Sequence, residues 1–225
     1  MQLYVIPAPL SRETPYWVYP ALLPTLSPLK HFFVEKTARS RSWLAQLGLS
    51  LEGVTLYEYQ AQLQDWPEEA YQATFGAGVP IGLLSEAGLA GVADPGASVV
   101  LRAHSMGYTV IPLAGPSSIT LALAGSGMRG DAFTFWGYPP LDKKQRRSFL
   151  QQVCHQAKVH TQILMESPAR NTSLLQELIS LAPVGLLLCV AHHLTAEQGF
   201  IRTQPVSAWQ GYTLPKAPTL FLLGR

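Results

Sequence analysis

A chain of 225 residues holds one large domain or two small ones, and 48% hydrophobic against 13% charged residues argues for an extensive core rather than disorder. A formal net charge of +2 demands no nucleic-acid partner but leaves room for a local basic patch. No apolar run is long enough to span a bilayer, and no basic segment precedes an apolar core at the N-terminus, so a soluble cytoplasmic protein without a signal peptide is expected. The two cysteines, Cys154 and Cys189, have no metal-ligand spacing to histidines and read as buried thiols of a reducing compartment.

The chain opens with an apolar strand from Gln2 to Ile6, followed by a stiff turn from Pro7 to Arg12. Trp17 to Leu26 has helical spacing, interrupted by Pro20 and Pro24. His31 to Glu35 reads as a strand that ends in a polar cluster, Glu35 to Arg41. A short helix from Ser42 to Leu47 closes at Gly48. Thr55 to Tyr59 reads as a strand, and Asp65 to Gly76 as an amphipathic helix with Pro67 in its first turn.

The stretch 79–99 organises the rest. Ile81 to Leu84 is a buried-strand pattern that opens into Gly88, Gly91 and Gly96, with Asp94-Pro95 between the last two. Such a turn lets backbone N–H and C=O groups approach a ligand with no Cβ in the way. Asp94 precedes a proline, which holds it out of the helical region and fixes its carboxylate on the turn. A helix starts at Ala97. Tyr108 to Leu113 is the next strand, followed at once by Ala114-Gly115-Pro116-Ser117-Ser118 and a helix of small residues from Ile119. Two glycine-rich turns at strand carboxyl ends are the pattern of a cofactor crevice in a parallel α/β sheet.

The composition then changes. Phe133 to Pro140 is an aromatic strand running into a proline turn, and Lys143, Lys144, Arg146 and Arg147 begin a helix that runs to Ala157. Thr161 to Glu166 is a strand with Ser167-Pro168-Ala169-Arg170 at its end. Leu174 to Leu181 is amphipathic, Val184 to Val190 is an apolar strand ending near His192-His193, residues 196–212 are less regular, and Thr219 to Leu223 is a final strand. The expected fold class is α/β in two α/β domains, 1–115 with a mostly parallel sheet and 116–225 with a mixed sheet.

Four stretches carry a family likeness. Ser85-Glu86-Ala87-Gly88-Leu89-Ala90 with Asp94-Pro95-Gly96 is similar to a Ser-Asp-Ala-Gly-Thr-Pro…Asp-Pro-Gly signature, and Pro112-Leu113-Ala114-Gly115-Pro116-Ser117-Ser118 to a Pro-Gly-Pro-Ser-Ala turn. Phe135-Trp136-Gly137-Tyr138-Pro139-Pro140…Lys144…Arg147 and Glu166-Ser167-Pro168-Ala169-Arg170 are similar to Phe-x-Gly-Phe-x-Pro…Lys…Arg and Glu-Ser-Pro-His-Arg. In order and spacing these resemble the tetrapyrrole methylase superfamily of class III S-adenosylmethionine-dependent methyltransferases, and most nearly its ribosomal RNA small-subunit methyltransferase I family. The chain departs from that family at Ala8 to Arg12, at Lys36, at Glu86 and Leu89-Ala90, and at His192-His193.

The resemblance implies a homodimer, S-adenosylmethionine as cofactor in a cleft between the domains, and methylation of a ribose 2′-oxygen of small-subunit ribosomal RNA. It implies cofactor contacts from Pro9, Ser85, Gly88, Leu89, Asp94, Ser117, Ser118, Met165, Leu194 and Thr219. Glu35, Lys36 and Glu166 are candidates for the base that takes the hydroxyl proton, the alternative for the two glutamates being ion pairs with Arg39 and Arg170. Arg39, Arg41, Lys143, Lys144, Arg146, Arg147 and Arg170 are candidate RNA phosphate contacts; for the four at 143–147 the alternative is a solvated helix start. His192-His193 suggests a metal or a base, but no matching ligands accompany it, so no metal is expected. Two other functions stay open: methylation of a tetrapyrrole or other small molecule, and cofactor binding without turnover.

Overall fold

The computed structural model describes residues 1–11, 13, 20–59 and 68–225. Arg12 of the first turn, residues 17–19 of the proline-interrupted helix and Asp65 to Pro67 lie outside the described residues. The chain divides into two compact units, Met1–Ser117 and Ser118–Arg225.

In the first unit β1 (Gln2–Ile6), α1 (Leu23–Leu26), β2 (His31–Val34), α2 (Thr37–Gln46), β3 (Thr55–Glu58), α3 (Glu68–Tyr71), β4 (Ile81–Leu84), α4 (Ala97–Ser105) and β5 (Thr109–Pro112) follow in order. A π-helical turn, Gln72–Gly76, continues α3. All five strands are parallel, in the order β3-β2-β4-β1-β5. The central strands β2, β4 and β1 are largely apolar on both faces because helices cover both, while the edge strands β3 and β5 carry exposed Thr55, Glu58 and Thr109. Leu3, Val5, Ile81 and Leu83 pack with Val99 and Ala103 of α4, while Ile6, Phe32, Val34 and Leu84 pack with Leu26 of α1 and Trp43 and Leu44 of α2. The helices that follow the neighbouring strands β1 and β4 thus lie on opposite faces. That is a topological switch point, where the carboxyl ends of two strands part to leave a crevice.

The second unit contains α5 (Ser118–Ser126), β6 (Phe133–Phe135), α6 (Lys143–Gln156), β7 (Thr161–Glu166), α7 (Asn171–Leu181), β8 (Leu187–His192), β9 (Phe200–Pro205) and β10 (Thr219–Gly224). Its mixed sheet has the order β6-β7-β10-β8-β9, parallel only between β6 and β7. Helices α6 and α7 cover one face over Leu164, Val190 and Phe221. Helix α5 covers the other over Ile163, Ala191 and Leu222. Cys154 and Cys189 are buried free thiols.

Three local readings are corrected. The helix expected from Ser42 starts five residues earlier, at Thr37, within the polar cluster. Its cap is not local, since the Thr37 amide donates to Glu58 Oε1 of β3 at 2.7 Å. Residues 196–212 are not irregular, because β9 runs through them as an edge strand paired with β8. The expected strand from Val184 starts later, at Leu187, and reaches His192. Among the described residues no helix is long and apolar enough to cross a membrane.

Candidate active site

Three turns meet at the carboxyl end of the first sheet. The Ala8 amide donates to the Gly88 carbonyl at 2.7 Å, and the Gly88 amide donates to the Ala8 carbonyl at 3.0 Å. This reciprocal pair clasps the turn after β1 to the turn after β4, across the switch point. Gly88 sits at φ +72°, where a side chain is strained. The turn after β5 closes against the same place: a Cβ on Gly115 would fall 2.1 Å from Pro7 Cβ. Pro9, Ser85, Gly88 and Leu89 are therefore brought together on one clasp, with Ser117 on the turn that abuts it. The first residue of α5 is Ser118.

Beyond the clasp the loop from Ser85 to Gly96 is tied at both ends. The Tyr59 hydroxyl donates to the carbonyls of Leu84 at 3.0 Å and Pro95 at 3.1 Å. The Gly91 amide donates to the Pro95 carbonyl at 3.1 Å. Ala93 holds a left-handed φ of 59° immediately before Asp94, a strained conformation that the loop fixes.

Carboxylates gather here. Burial, reinforced by the charges of Glu35 and Glu86, pushes Asp94 up to about 6, with the Ser85 hydroxyl and Arg39 partly opposing. Glu35 Oε2 accepts from the Glu86 amide at 3.0 Å. Arg39 pairs with Glu86 at 3.5 Å, so its partner is Glu86 and not Glu35. Lys36 and Arg41 are exposed on either side of Arg39. A cavity of about 560 Å³ opens beside this group, reaching from Pro9 and Ser85 to Trp43 of α2.

The elevated Asp94 predicts a pH dependence. The native state holds this proton more tightly than the unfolded chain, so stability falls as pH rises from near 4 through about 6. Asp94→Asn removes that loss. Its melting temperature should exceed that of the wild type at pH 7.5, and the gap should close towards pH 4; a gap that does not change with pH would contradict this.

In the second unit Glu166 is not placed to act as a base. Its side chain is fully buried, and its two oxygens accept from Arg146 Nη1 at 3.1 Å and from Arg170 Nη2 at 2.8 Å, with the Ser167 amide also donating at 2.8 Å. The ion-pair alternative holds for this residue. Arg146 leaves the basic set for the same reason: it is 8% exposed, and its Nε donates to Glu177 at 2.8 Å. Lys143, Lys144 and Arg147 stay exposed on α6, whose N-terminus is capped by Asp142 accepting from the Gln145 amide. That cap, an Asp three residues ahead of a Gln, is legible in sequence and offsets the cations at the helix start.

Met165 and Leu194 pack against one apolar cluster, and Thr219 pairs with both Glu166 and His192 in the sheet. The Thr219 hydroxyl is occupied within its own unit, donating to the Ala217 carbonyl at 3.0 Å and lying 2.9 Å from His192 Nδ1. His192 is buried, its ring tilted against Phe200 at 5.2 Å, and reads as a core histidine. Among the described residues no group of three or more His, Cys, Asp or Glu could hold a metal ion.

No family model matches the sequence. The ribosomal RNA small subunit methyltransferase I of Hydrogenobaculum sp. (strain Y04AAS1) is 30% identical over 200 residues, spanning 87% of this chain and 81% of its own length. The chain belongs to the ribosomal RNA small subunit methyltransferase I family. Another member, from Vibrio cholerae, is 28% identical over 206 residues, spanning 91% of this chain and 69% of its own. Solved methyltransferases share the two-unit fold of this family member. CobJ has a TM-score of 0.62 at 16% identity, covering 100% of this chain and 93% of its own. The uroporphyrin-III C-methyltransferase of Thermus thermophilus, complexed with S-adenyl homocysteine, has a TM-score of 0.56 at 15% identity, covering 100% and 98%. At those identities the likeness shows the fold.

Proposed function

We propose that the chain is an S-adenosylmethionine-dependent methyltransferase acting on RNA, at a ribose 2′-oxygen of small-subunit ribosomal RNA, and that it works in the cytoplasm as a homodimer. Membership of the ribosomal RNA family supports the acceptor. The observation that carries the cofactor reading is the clasp of Ala8 and Gly88 at the switch point, with an acidic group beside it. S-adenosylmethionine, when bound, supplies an electrophilic methyl on a cationic sulfur.

The residues present fit such a group. Gly88, with its amide and carbonyl both hydrogen-bonded to Ala8, shapes the place, and Pro9, Ser85, Leu89 and Ser117 frame it. The carboxylates of Glu35, Glu86 and Asp94 give the crevice a negative field that favours a cation. With Glu166 held in ion pairs, the acid group around Asp94 is the proposed acceptor for the hydroxyl proton; a carboxyl titrating at about 6 is ionised at neutral pH and still basic enough to help. Holding the acceptor oxygen close and aligned supplies the larger effect, about 7–11 kcal/mol in favourable cases. The likeness to tetrapyrrole enzymes carries the fold alone, and no observation favours a tetrapyrrole acceptor.

Calorimetric titration with S-adenosylhomocysteine tests the cofactor. The wild type should bind at about micromolar affinity, near −8 kcal/mol. Ser117→Trp, which sets an indole on the turn beside the clasp, should weaken binding at least about tenfold. Absence of binding by a folded wild type would remove the cofactor reading.

A further inference from the structure

Resting on the reading of the chain as an RNA ribose methyltransferase, we propose that the cavity under α2 receives the base of the acceptor nucleotide, with Arg39 and Glu86 as its hydrogen-bonding edge. The cavity belongs wholly to the first unit. It begins at Pro9 and Ser85, on the clasp, and runs to Trp43. Its volume of about 560 Å³ lies within the range of roughly 300–1,000 Å³ usual for small-molecule sites.

Methylation of a ribose 2′-oxygen places the sugar at the methyl donor and sends the base to one side. A base still stacked on its neighbours limits how closely its sugar approaches the methyl donor, and a base turned out of the stack needs a pocket of its own. Such a pocket needs an apolar wall for the ring face and polar groups at the ring edge. Ala8, Leu84 and Trp43 give the cavity an apolar lining. All three are buried, Trp43 at 8% exposure, so the wall is fixed by the core.

The polar edge is a mixed pair. Arg39 Nη1 lies 3.5 Å from Glu86 Oε1, with the side chains 33% and 40% exposed, so both remain within reach of a ligand. The Glu86 backbone is pinned by its N–H donating to Glu35 Oε2 at 3.0 Å. An N–H donor beside a carboxylate acceptor complements a base edge that carries an acceptor beside a donor, such as the ring nitrogen and amino group of cytosine or adenine. A free phosphate meets the Glu86 charge, and a metal cation meets Arg39 and Lys36. The mixed charge therefore selects a neutral, hydrogen-bonding, flat ligand.

The test titrates the full chain with the four nucleoside 5′-monophosphates and with ribose 5-phosphate, followed by ligand-observed NMR. Two variants accompany the wild type. Ala38→Trp places an indole in the cavity from an exposed helical position and leaves the core intact. Glu86→Gln keeps the shape of the edge and removes its charge. At least one base monophosphate should bind more tightly than ribose 5-phosphate. Ala38→Trp should weaken that binding at least about tenfold while leaving S-adenosylhomocysteine affinity within about twofold. Glu86→Gln should change the ranking of the four bases. Equal binding of ribose 5-phosphate, unchanged nucleotide binding in Ala38→Trp, or a loss of S-adenosylhomocysteine affinity in that variant would each overturn the proposal. The nucleotide titration needs no methyl donor, so it reads the cavity even if the wild type fails to bind S-adenosylhomocysteine, the result that would count against the cofactor reading instead.

Discussion

Glu166→Gln lowers the stability of the chain by about 3 kcal/mol, the lower end of what breaking a buried ion pair costs. The carboxylate it removes is fully buried at the end of β7 and bridges Arg146 of α6 to Arg170 at the start of α7. The glutamine cannot accept from both guanidinium groups and the Ser167 amide at once, so polar groups at a nearly dry site lose partners. Arg146 keeps Glu177, at 2.8 Å and about a third exposed, which is why the expected loss is not larger. Urea denaturation at pH 7.5 measures it as a lower midpoint with an unchanged slope. Replacing Arg146 and Glu166 together by Met and Leu should recover most of the loss, because no buried charge is then left unpaired. The pH profile gives a second check. Burial alone would raise Glu166, but Arg170, the Ser167 amide and Arg146 together hold it below its ordinary value. Its contribution is therefore complete above the ordinary carboxylate range and is lost as pH falls through the lowered native value. The variant should show a shallower loss of stability in acid. A midpoint equal to that of the wild type would mean that the network only decorates the end of the strand.

Gly88→Val should weaken S-adenosylhomocysteine binding by about a hundredfold, near 2.7 kcal/mol. Two effects combine. The left-handed φ of +72° is strained for valine by about 1–2 kcal/mol. The valine also brings a branched side chain to the clasp, where even a Cβ would lie 3.5 Å from Leu10 Cδ2 and 3.7 Å from the Pro116 carbonyl oxygen. The two bonds between Ala8 and Gly88 then lengthen or break, and the turns that frame the proposed site part. Gly107→Ala serves as the comparison. It carries a similar φ of +74°, has nothing within 4 Å of the added Cβ, and lies at the far end of α4. It should lower stability without changing affinity. Equal affinity in Gly88→Val and the wild type would show that the clasp does not shape the cofactor site.

Elements set by local residues show in the sequence, and those set by distant partners do not. Strands β1, β2, β4, β7 and β10 were legible because each is an apolar run between turn residues, as buried strands of a two-faced sheet must be. The glycine-rich turns after β4 and β5 were legible because only glycine tolerates their close approaches. What sequence could not supply was the partner from elsewhere in the chain. The start of α2 is capped by Glu58, some twenty residues downstream, so no local signal marked Thr37. Strand β9 takes its stability from the ladder with β8, and its polar residues suit an edge; Arg202 lies over the rings of Phe200, Trp209 and Tyr212 at 5.4, 6.0 and 5.8 Å. Arg146 looks in sequence like its neighbours Lys144 and Arg147. One position of helical rotation turns it inward onto Glu166 and Glu177. The proline after Asp94 marks it as a residue placed by its turn, but its shift to about 6 comes from burial and then from Glu35 and Glu86, which only folding brings about.

The most direct measurement is transfer of labelled methyl from S-adenosylmethionine to small ribosomal subunits, followed by alkaline hydrolysis of the RNA. A 2′-O-methylated ribose cannot assist cleavage of the adjoining phosphodiester, so the label should be recovered in alkali-resistant dinucleotides, and Gly88→Val should sharply reduce it at limiting S-adenosylmethionine. Label recovered in mononucleotides, or no label from a folded protein that binds S-adenosylhomocysteine, would contradict the assignment of a ribose 2′-oxygen of small-subunit RNA as the acceptor.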